Sequence, residues 1–380
     1  MSSVSTVSPP RLVRVAAPFL FILLGVIYAS WAARIPAIRD NLTLDPAQLG
    51  FVLLGAGIGA VASFPLAAWL VDRFGGPHAA WYAGLGLLLT LPCLALAPSL
   101  WWLITAAFFL GAGSGCFDVA INAIGTEQER IAGRSTMSLL HAWFCVGTLS
   151  GALLGAAMAG MGVTVAVHFG LIAVVMLLPL YLCAHRLPPM RAERDPTRKL
   201  FAVAHGPLVM LGIIGFCGAV AEGSIADWSG VFMTDRLHVH DGVAPLAFAG
   251  FACLMLLARL VCDRFKDRFG ARKVVASGAL LAAAGLVLAL LAFNVPATIA
   301  GFALAGAGLA AVFPFVFSAA GRHGSTALAA VATFSYSGGL IGPPVIGFLA
   351  HHWSLSFGLC FVAVLAIGIA IAASRARWLE

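Results

Sequence analysis

The chain is poor in charge. Lys and Arg number 22 and Asp and Glu 15 among 380 residues, so charged side chains are 10% of the total. A soluble domain carries roughly a quarter, so this chain cannot cover the surface of a water-soluble globule. No loop is large enough to be a soluble catalytic domain, and no nucleophile–base set or metal cluster falls at membrane depth. Neither an enzyme, a cofactor nor a bound metal is expected. The 8 cysteines lie mostly within apolar runs and show no C-x-x-C or Cys/His metal spacing, which makes them small packing residues. A Walker loop is missing, so the chain brings no ATPase motor. Gly55-Ala56-Gly57-Ile58-Gly59 imitates a dinucleotide fingerprint but lies inside an apolar run rather than after a soluble strand. Met1 to Pro10 is polar and Ser/Pro-rich, unlike a cleaved signal peptide, and the first apolar run reads as a retained helix.

What is present is apolar: 61% of the residues. Runs fall at 14–36, 47–71, 78–98, 100–124, 136–160, 163–184, 206–233, 244–262, 271–293, 296–320, 327–350 and 354–374. Each is about the 20 residues needed to cross a bilayer core. The expected fold is an all-α membrane protein of 12 transmembrane helices, with the lipid bilayer as its surroundings. Twelve spans place both termini on one side. With that side cytoplasmic, 18 of the 22 basic residues lie inside, among them Arg73, Arg130, Arg134, Arg186, Arg191, Arg194, Arg198 and Lys199. Arg34, Arg39 and Arg236 lie outside and Arg259 lies within a span. This asymmetry sets the orientation. It also accounts for the net charge of +7 without a nucleic-acid partner.

The polar segment 185–204 divides the chain into six-span halves, 1–184 and 205–380, which repeat. Asp72-Arg73-Phe74-Gly75 after span 2 recurs as Asp267-Arg268-Phe269-Gly270 after span 8, and Gly111-Ala112-Gly113 recurs as Gly306-Ala307-Gly308. Gly147, Gly151 and Gly155 in span 5 echo Gly338, Gly342 and Gly347 in span 11, slightly out of phase. Internally repeated six-helix halves are a transporter architecture with a central site between the halves.

The paired D-R-F-G loops, 12 spans and basic central loop resemble the major facilitator superfamily over almost the whole chain. The second loop continues as Ala271-Arg272-Lys273, close to the superfamily's motif. The first has Ala68 where Gly is usual and Gly76-Pro77 where basic residues are usual. Span 4, with Asp118-Val119-Ala120-Ile121-Asn122 after its glycines, is similar to fucose-permease-like sugar:proton symporters. With Trp31 to Asp40 and Ala221 to Trp228, it looks like a bacterial inner-membrane branch near those permeases. The resemblance implies proton coupling at Asp118. Those carriers also use an Asp in span 1, whereas here span 1 has no acid before Asp40. Asp72, Arg73, Asp267 and Arg268 take the place of the superfamily's inner-gate residues.

An ionisable side chain at membrane depth costs at least a few kcal/mol unless paired, neutralised or hydrated. Asp118 and His141 flank the turn between spans 4 and 5 at matching distances, so a hairpin there puts them at similar depth. They are a proton-exchanging pair or a static hydrogen-bonded one. Asn122, a turn beyond Asp118, is a solute contact or an interhelical hydrogen bond. Glu222, near the middle of span 7, is a second proton or substrate group, or a neutral acid bonded to a neighbouring backbone. Arg34 in span 1 and Asp227 in span 7 lie at comparable depth and form a candidate outer gate; Asp40 and Asp45 are the rival partners of Arg34. Arg259 snorkels or pairs with Asp263. Trp143, Trp228 and Tyr336 line a cavity or anchor at the interface, and Trp101 and Trp102 fit interface anchors. His351 and His352 read as solvated loop residues.

The expected activity is secondary transport of a small solute by alternating access in a bacterial cytoplasmic membrane. The protein works as a monomer, coupled to protons and taking up a sugar or sugar-like compound. Arg34, Asn122, Trp143, Glu222, Trp228 and Tyr336 contact the solute. Proton-driven efflux of an amphipathic compound is the rival, favoured by the scarcity of intramembrane Asn and Gln. A non-transporting sensor is the third alternative.

Overall fold

The computed structural model describes residues 11–132, 137–187 and 205–379. Residues 188–204, with Arg191, Arg194, Arg198 and Lys199, lie outside the described residues, as does Arg134. The described residues form helices: α1 Arg11–Asn41, α2 Pro46–Ala62, α3 Phe64–Ala95, α4 Leu100–Ala132, α5 Met137–Gly160 and α6 Val165–Arg186. These are followed by α7 Pro207–Leu237, α8 Leu246–Phe269, α9 Ala271–Leu291, α10 Val295–Leu309, α11 Val312–Gly321, α12 Ser325–His352 and α13 Leu355–Arg375. A 3-10 turn, Arg377–Leu379, ends the description. Among the described residues, 10 stretches are long and apolar enough to cross a membrane, with α10 and α11 together making one of them.

Two spans contain breaks that the apolar runs do not reveal. In the second span α2 ends before Ser63, whose hydroxyl donates to the Ala60 carbonyl at 2.8 Å. Pro65 follows, without the N–H a continuous helix needs. The real turn to the third span is inside α3, at Gly75, with φ 79° and ψ 161°. Its repeat counterpart Gly270, between α8 and α9, has φ 82° and ψ 150°. That region of backbone space belongs essentially to glycine, so the D-R-F-G repeat is a conformational repeat. The tenth span breaks at Ala310–Ala311 between α10 and α11, where Pro314 sits in the first turn of α11, a position that tolerates a missing N–H.

Helix starts follow their caps. Asp45 accepts from the Gln48 N–H at 2.9 Å while the Gln48 side chain accepts from the Asp45 N–H at 3.0 Å, a reciprocal box before α2. Thr164, Asn294 and Ser354 cap α6, α10 and α13 by accepting from the N–H three residues on.

Contacts divide the chain into two compact units. One holds α1 up to Ser30, Gly55–Gly151 and α6; the other holds Trp31–Leu54, Ala152–Val163 and the described chain from His205 onward. In lipid, helices associate through close packing of small residues, and the glycines show how. In the first unit, Gly111 on α4 lies against the Ala56 carbonyl of α2, and Gly147 and Gly151 on α5 lie against the Ile22 and Val26 carbonyls of α1. In the second, Gly306 on α10 lies against the Phe251 carbonyl of α8, Gly338 on α12 against the Phe216 carbonyl, and Gly342 against Val220, both of α7. The same helix pairs are thus joined by the same glycines in each repeat. Gly347 leaves this scheme and packs against Pro46 and Gly50 of α2, inside the second unit.

The chain end is also anchored in the second unit. Trp378 stacks on His323 with centroids 4.0 Å apart, Arg322 donates to the Trp378 carbonyl at 3.3 Å, and Leu379 is buried.

Candidate transport site

In the first unit the polar centre is on α4. The Asn122 amide donates to the Asp118 carboxylate at 3.0 Å and to its backbone carbonyl at 2.8 Å. This is the four-residue spacing of one helix face. The Asp118 side chain is therefore held by its own helix neighbour, and not by His141. His141 instead packs edge-on against Phe21 of α1, with centroids 5.4 Å apart, and is exposed. Equal distance from the turn fixed depth but not azimuth, which is why the expected Asp118–His141 contact does not form. Trp143, on the same helix as His141, is also exposed.

In the second unit Glu222 and Arg259 approach each other. The guanidinium of Arg259 on α8 is 4.0 Å from the Glu222 carboxylate on α7. Both lie near the middle of their helices, and this pair replaces the expected Arg259–Asp263 contact or snorkelling. The two side chains are 15% and 28% exposed, respectively. Along α7, Val209, Ile213, Phe216 and Cys217 are partly open, Glu222 and Gly223 follow, and Ser224 to Met233 are all buried. Glu222 thus stands where the open stripe of α7 ends. In α1, Tyr28 is half-buried and Ala29 to Pro36 are all buried. Tyr28 precedes Glu222 by 222 − 28 = 194, the same offset that relates Ile22 to Phe216 and Val26 to Val220. Tyr28 and Arg259 were missed as site residues. The offset between the helices could have found Tyr28, but nothing in the sequence aimed Arg259 at Glu222.

Three expected contacts are corrected. Arg34 is buried and donates to the Val163 carbonyl, not to Asp227. Its rival partners are engaged elsewhere: Asp40 with Arg39 at 2.9 Å, and Asp45 with His351 at 3.5 Å, so His351 is not merely solvated. The ion pair that joins α1 to α7 is one turn further along. Arg39 reaches both oxygens of Asp235, at 2.8 and 2.7 Å, the two-pronged geometry that strengthens such pairs. Asp227 is buried beside Trp228, and Trp228 is 0% exposed with no hydrogen-bond partner for its indole N–H. It is part of the helix core and lines no open surface. Trp31 is buried as well, while Tyr336 is exposed and meets Phe317 edge-on at 6.0 Å.

The D-R-F-G residues Asp72, Arg73, Asp267 and Arg268 are exposed at helix ends, and Arg268 lies over the Phe269 ring at 5.3 Å. Trp101 and Trp102 are exposed, and the Trp102 indole donates to the Cys93 carbonyl at 3.1 Å, as suits an interface anchor.

A duplicated set of six membrane-spanning helices with mid-span charges is the construction of a membrane carrier. The sequence matches the Major Facilitator Superfamily over residues 17–240 and 211–380. It is 33% identical over 350 residues to an uncharacterized transporter, y4wD, of Sinorhizobium fredii, covering 90% of this chain and 92% of that protein. It is also 33% identical over 365 residues to an uncharacterized transporter of the same superfamily from Yersinia pestis, covering 95% and 94%. The crystal structure of the nucleoside transporter NupG superposes with a TM-score of 0.74 at 14% identity, covering 96% of this chain and 98% of that one. The chain belongs to the major facilitator superfamily.

Proposed function

We propose that this protein is a proton-coupled carrier that takes up a small polar, sugar-like solute by alternating access. It sits in a bacterial cytoplasmic membrane with both termini in the cytoplasm and acts as a monomer. One observation carries the reading: Asp118 and Glu222, acids in the middle of apolar helices, are only partly covered. An ionisable group at that depth costs at least a few kcal/mol unless it is compensated, so a purely structural bundle has no use for two of them. Asp118, held by Asn122, is the proton-coupling group, in line with the resemblance of span 4 to sugar:proton symporters. Protonation drives the cycle only by having different affinity in the two states of the carrier. Arg39–Asp235 takes the gating role first assigned to Arg34 and Asp227, and Asp72, Arg73, Asp267 and Arg268 serve the opposite face.

Efflux of an amphipathic compound is the second reading. It is favoured by the aromatic set Phe313, Phe317 and Tyr336 in the second unit. Phe313 and Phe317 stand 195 positions after Asp118 and Asn122, so the repeat exchanges a polar pair for an apolar one.

Proteoliposome flux under an imposed pH gradient, with a panel of sugars and cationic dyes, tests both readings. Uptake of a sugar-like solute that stops in Asp118→Asn is the expected result. Equal gradient-driven flux in wild type and Asp118→Asn would refute the proton role, and dye-only flux would establish efflux.

A further inference from the structure

We infer that Glu222 and Arg259 form a binding site for a small hydroxylated carboxylate, whose carboxylate displaces Glu222 from Arg259 while Glu222 takes up a proton. The inference rests on the transport reading above for the solute's sugar-like character; the acidic group comes from the pair itself.

The separation is the first argument. At 4.0 Å the two groups attract but are beyond hydrogen-bond distance. A solute carboxylate at Arg259 would make the short charge-assisted bonds that Glu222 does not. The second is access. Glu222 and Gly223 end the open stripe of α7, and a methyl group built on Gly223 meets nothing within 4 Å. The space beside the acid is open, whereas the residues beyond it are buried.

The chemistry of the pair selects the ligand. A guanidinium offers donors only, in a planar fork that matches a carboxylate. A cationic solute drawn to Glu222 would meet the positive charge of Arg259 at the same place. A neutral sugar would bond around the pair without separating it and would bring no charge of its own to match the guanidinium fork. With an anion on Arg259, Glu222 has lost its counter-charge, and remaining ionised costs at least a few kcal/mol at this depth. A proton on a Glu222 carboxylate oxygen removes that cost and supplies an O–H that can donate to a solute oxygen. Charge is conserved: the acid–base pair is neutral beforehand, and the anion, Arg259 and protonated Glu222 are neutral together afterwards. This exchange at the pair is itself neutral; with the coupling proton on Asp118 the full cycle carries one net positive charge inward.

The other ionisable groups on the helices packed against α7 are these. Among their described residues, α10 and α11 carry none. α12 has Tyr336, with His351 and His352 at its end, and α13 has Cys360 and Arg375. α8 adds Cys253, then Cys262 and Asp263 next to Arg259, with Arg264, Lys266, Asp267 and Arg268 further along, and the 3-10 turn adds Arg377. α7 itself carries Cys217, Asp227, Asp235 and Arg236.

The test compares D-galacturonate, D-galactose and D-galactosamine, which are respectively anionic, neutral and cationic near neutral pH. The full-length protein is reconstituted in liposomes. Galacturonate uptake should follow an inside-alkaline gradient, be accelerated by an inside-negative membrane potential, and exceed galactose and galactosamine uptake by about tenfold or more. Calorimetry in buffers of different ionisation enthalpy should show proton uptake when galacturonate binds, lost in Glu222→Gln. Arg259→Lys should weaken galacturonate binding by at least about tenfold, because the fork is replaced by a point charge. Galactose or galactosamine moving as fast as galacturonate overturns the inference, as does proton uptake on galacturonate binding that is unchanged in Glu222→Gln. A carrier that moves other solutes but not galacturonate overturns it too. These results leave the transport reading standing, and only the failure of every solute and dye to move overturns both. The wild-type comparison decides the matter even if Arg259→Lys does not fold.

Discussion

Replacing Gly111 and Gly306 by alanine tests the repeat as packing, because the sign of the effect depends on the neighbour. A methyl group at Gly111 would overlap the Ala56 carbonyl oxygen and lie 2.6 Å from the carbonyl carbon and 2.9 Å from Ala56 Cα. At Gly306 it would overlap the Phe251 carbonyl oxygen and lie 2.9 Å and 3.1 Å from the corresponding carbons. Ordinary contact begins near 3.4 Å. The obstructing atoms are backbone, so no rotamer change relieves them, and the helices must move apart. Overpacking of this kind costs about 1–3 kcal/mol, against a gain of about 0.5–1 kcal/mol for alanine over glycine in a helix interior. The net expectation is a destabilisation of about 1–2 kcal/mol in both variants. Gly86 on α3 and Gly368 on α13 are the controls, since a methyl group there meets nothing within 4 Å. Their alanine variants should be unchanged or more stable by up to about 1 kcal/mol. Unfolding in detergent micelles, followed by circular dichroism, reads all four. Gly111→Ala and Gly306→Ala as stable as the controls would show that the helices are not in the contact described.

The remaining predictions concern the α1–α7 ion pair and the paired loops. Arg39 and Asp235 are 13% and 40% exposed, so solvent screening limits the pair to about 1 kcal/mol. A double-mutant cycle of Arg39→Ala and Asp235→Ala should return that coupling at low salt and less at high salt; a coupling within error of zero counts against the contact. Arg39→Ala should be the more damaging single change, because in Asp235→Ala the guanidinium still has Asp40. Alanine at Gly75 or Gly270 should cost about 1–3 kcal/mol each, because both positions need glycine backbone angles. Wild-type melting temperatures in both variants would contradict those angles.

The fold was legible because it depends on patterns that composition and periodicity express directly. A span needs about 20 apolar residues, and the repeat leaves its glycines at fixed offsets. Gly111 and Gly306 occupy equivalent contacts because a close approach of backbones admits only glycine, so the offset recorded a contact. The breaks at Ser63 and Ala310 escaped notice because hydropathy does not register a missing N–H at Pro65 or the tolerance of a first turn for Pro314. The site was harder for a related reason. Depth along a helix can be counted from the sequence, but azimuth and side-chain reach cannot. Depth placed Asp118 beside His141 and Arg34 beside Asp227. Azimuth gave Asp118 to Asn122 on its own helix, and side-chain reach gave Arg34 to the Val163 carbonyl. An arginine spans more than one turn, so Arg39 could reach Asp235 while Arg34, nearer in depth to Asp227, was committed elsewhere. The same reach brings Arg259 to Glu222 across two helices. Tyr28 occupies the repeat position of Glu222 in α1, and Phe313 and Phe317 occupy those of Asp118 and Asn122. Polar side chains at these positions are therefore divided unequally between the halves. An internal repeat reveals such positions by disagreement: where the backbone plan is kept and the side chains differ in polarity, packing alone gives no reason for the difference.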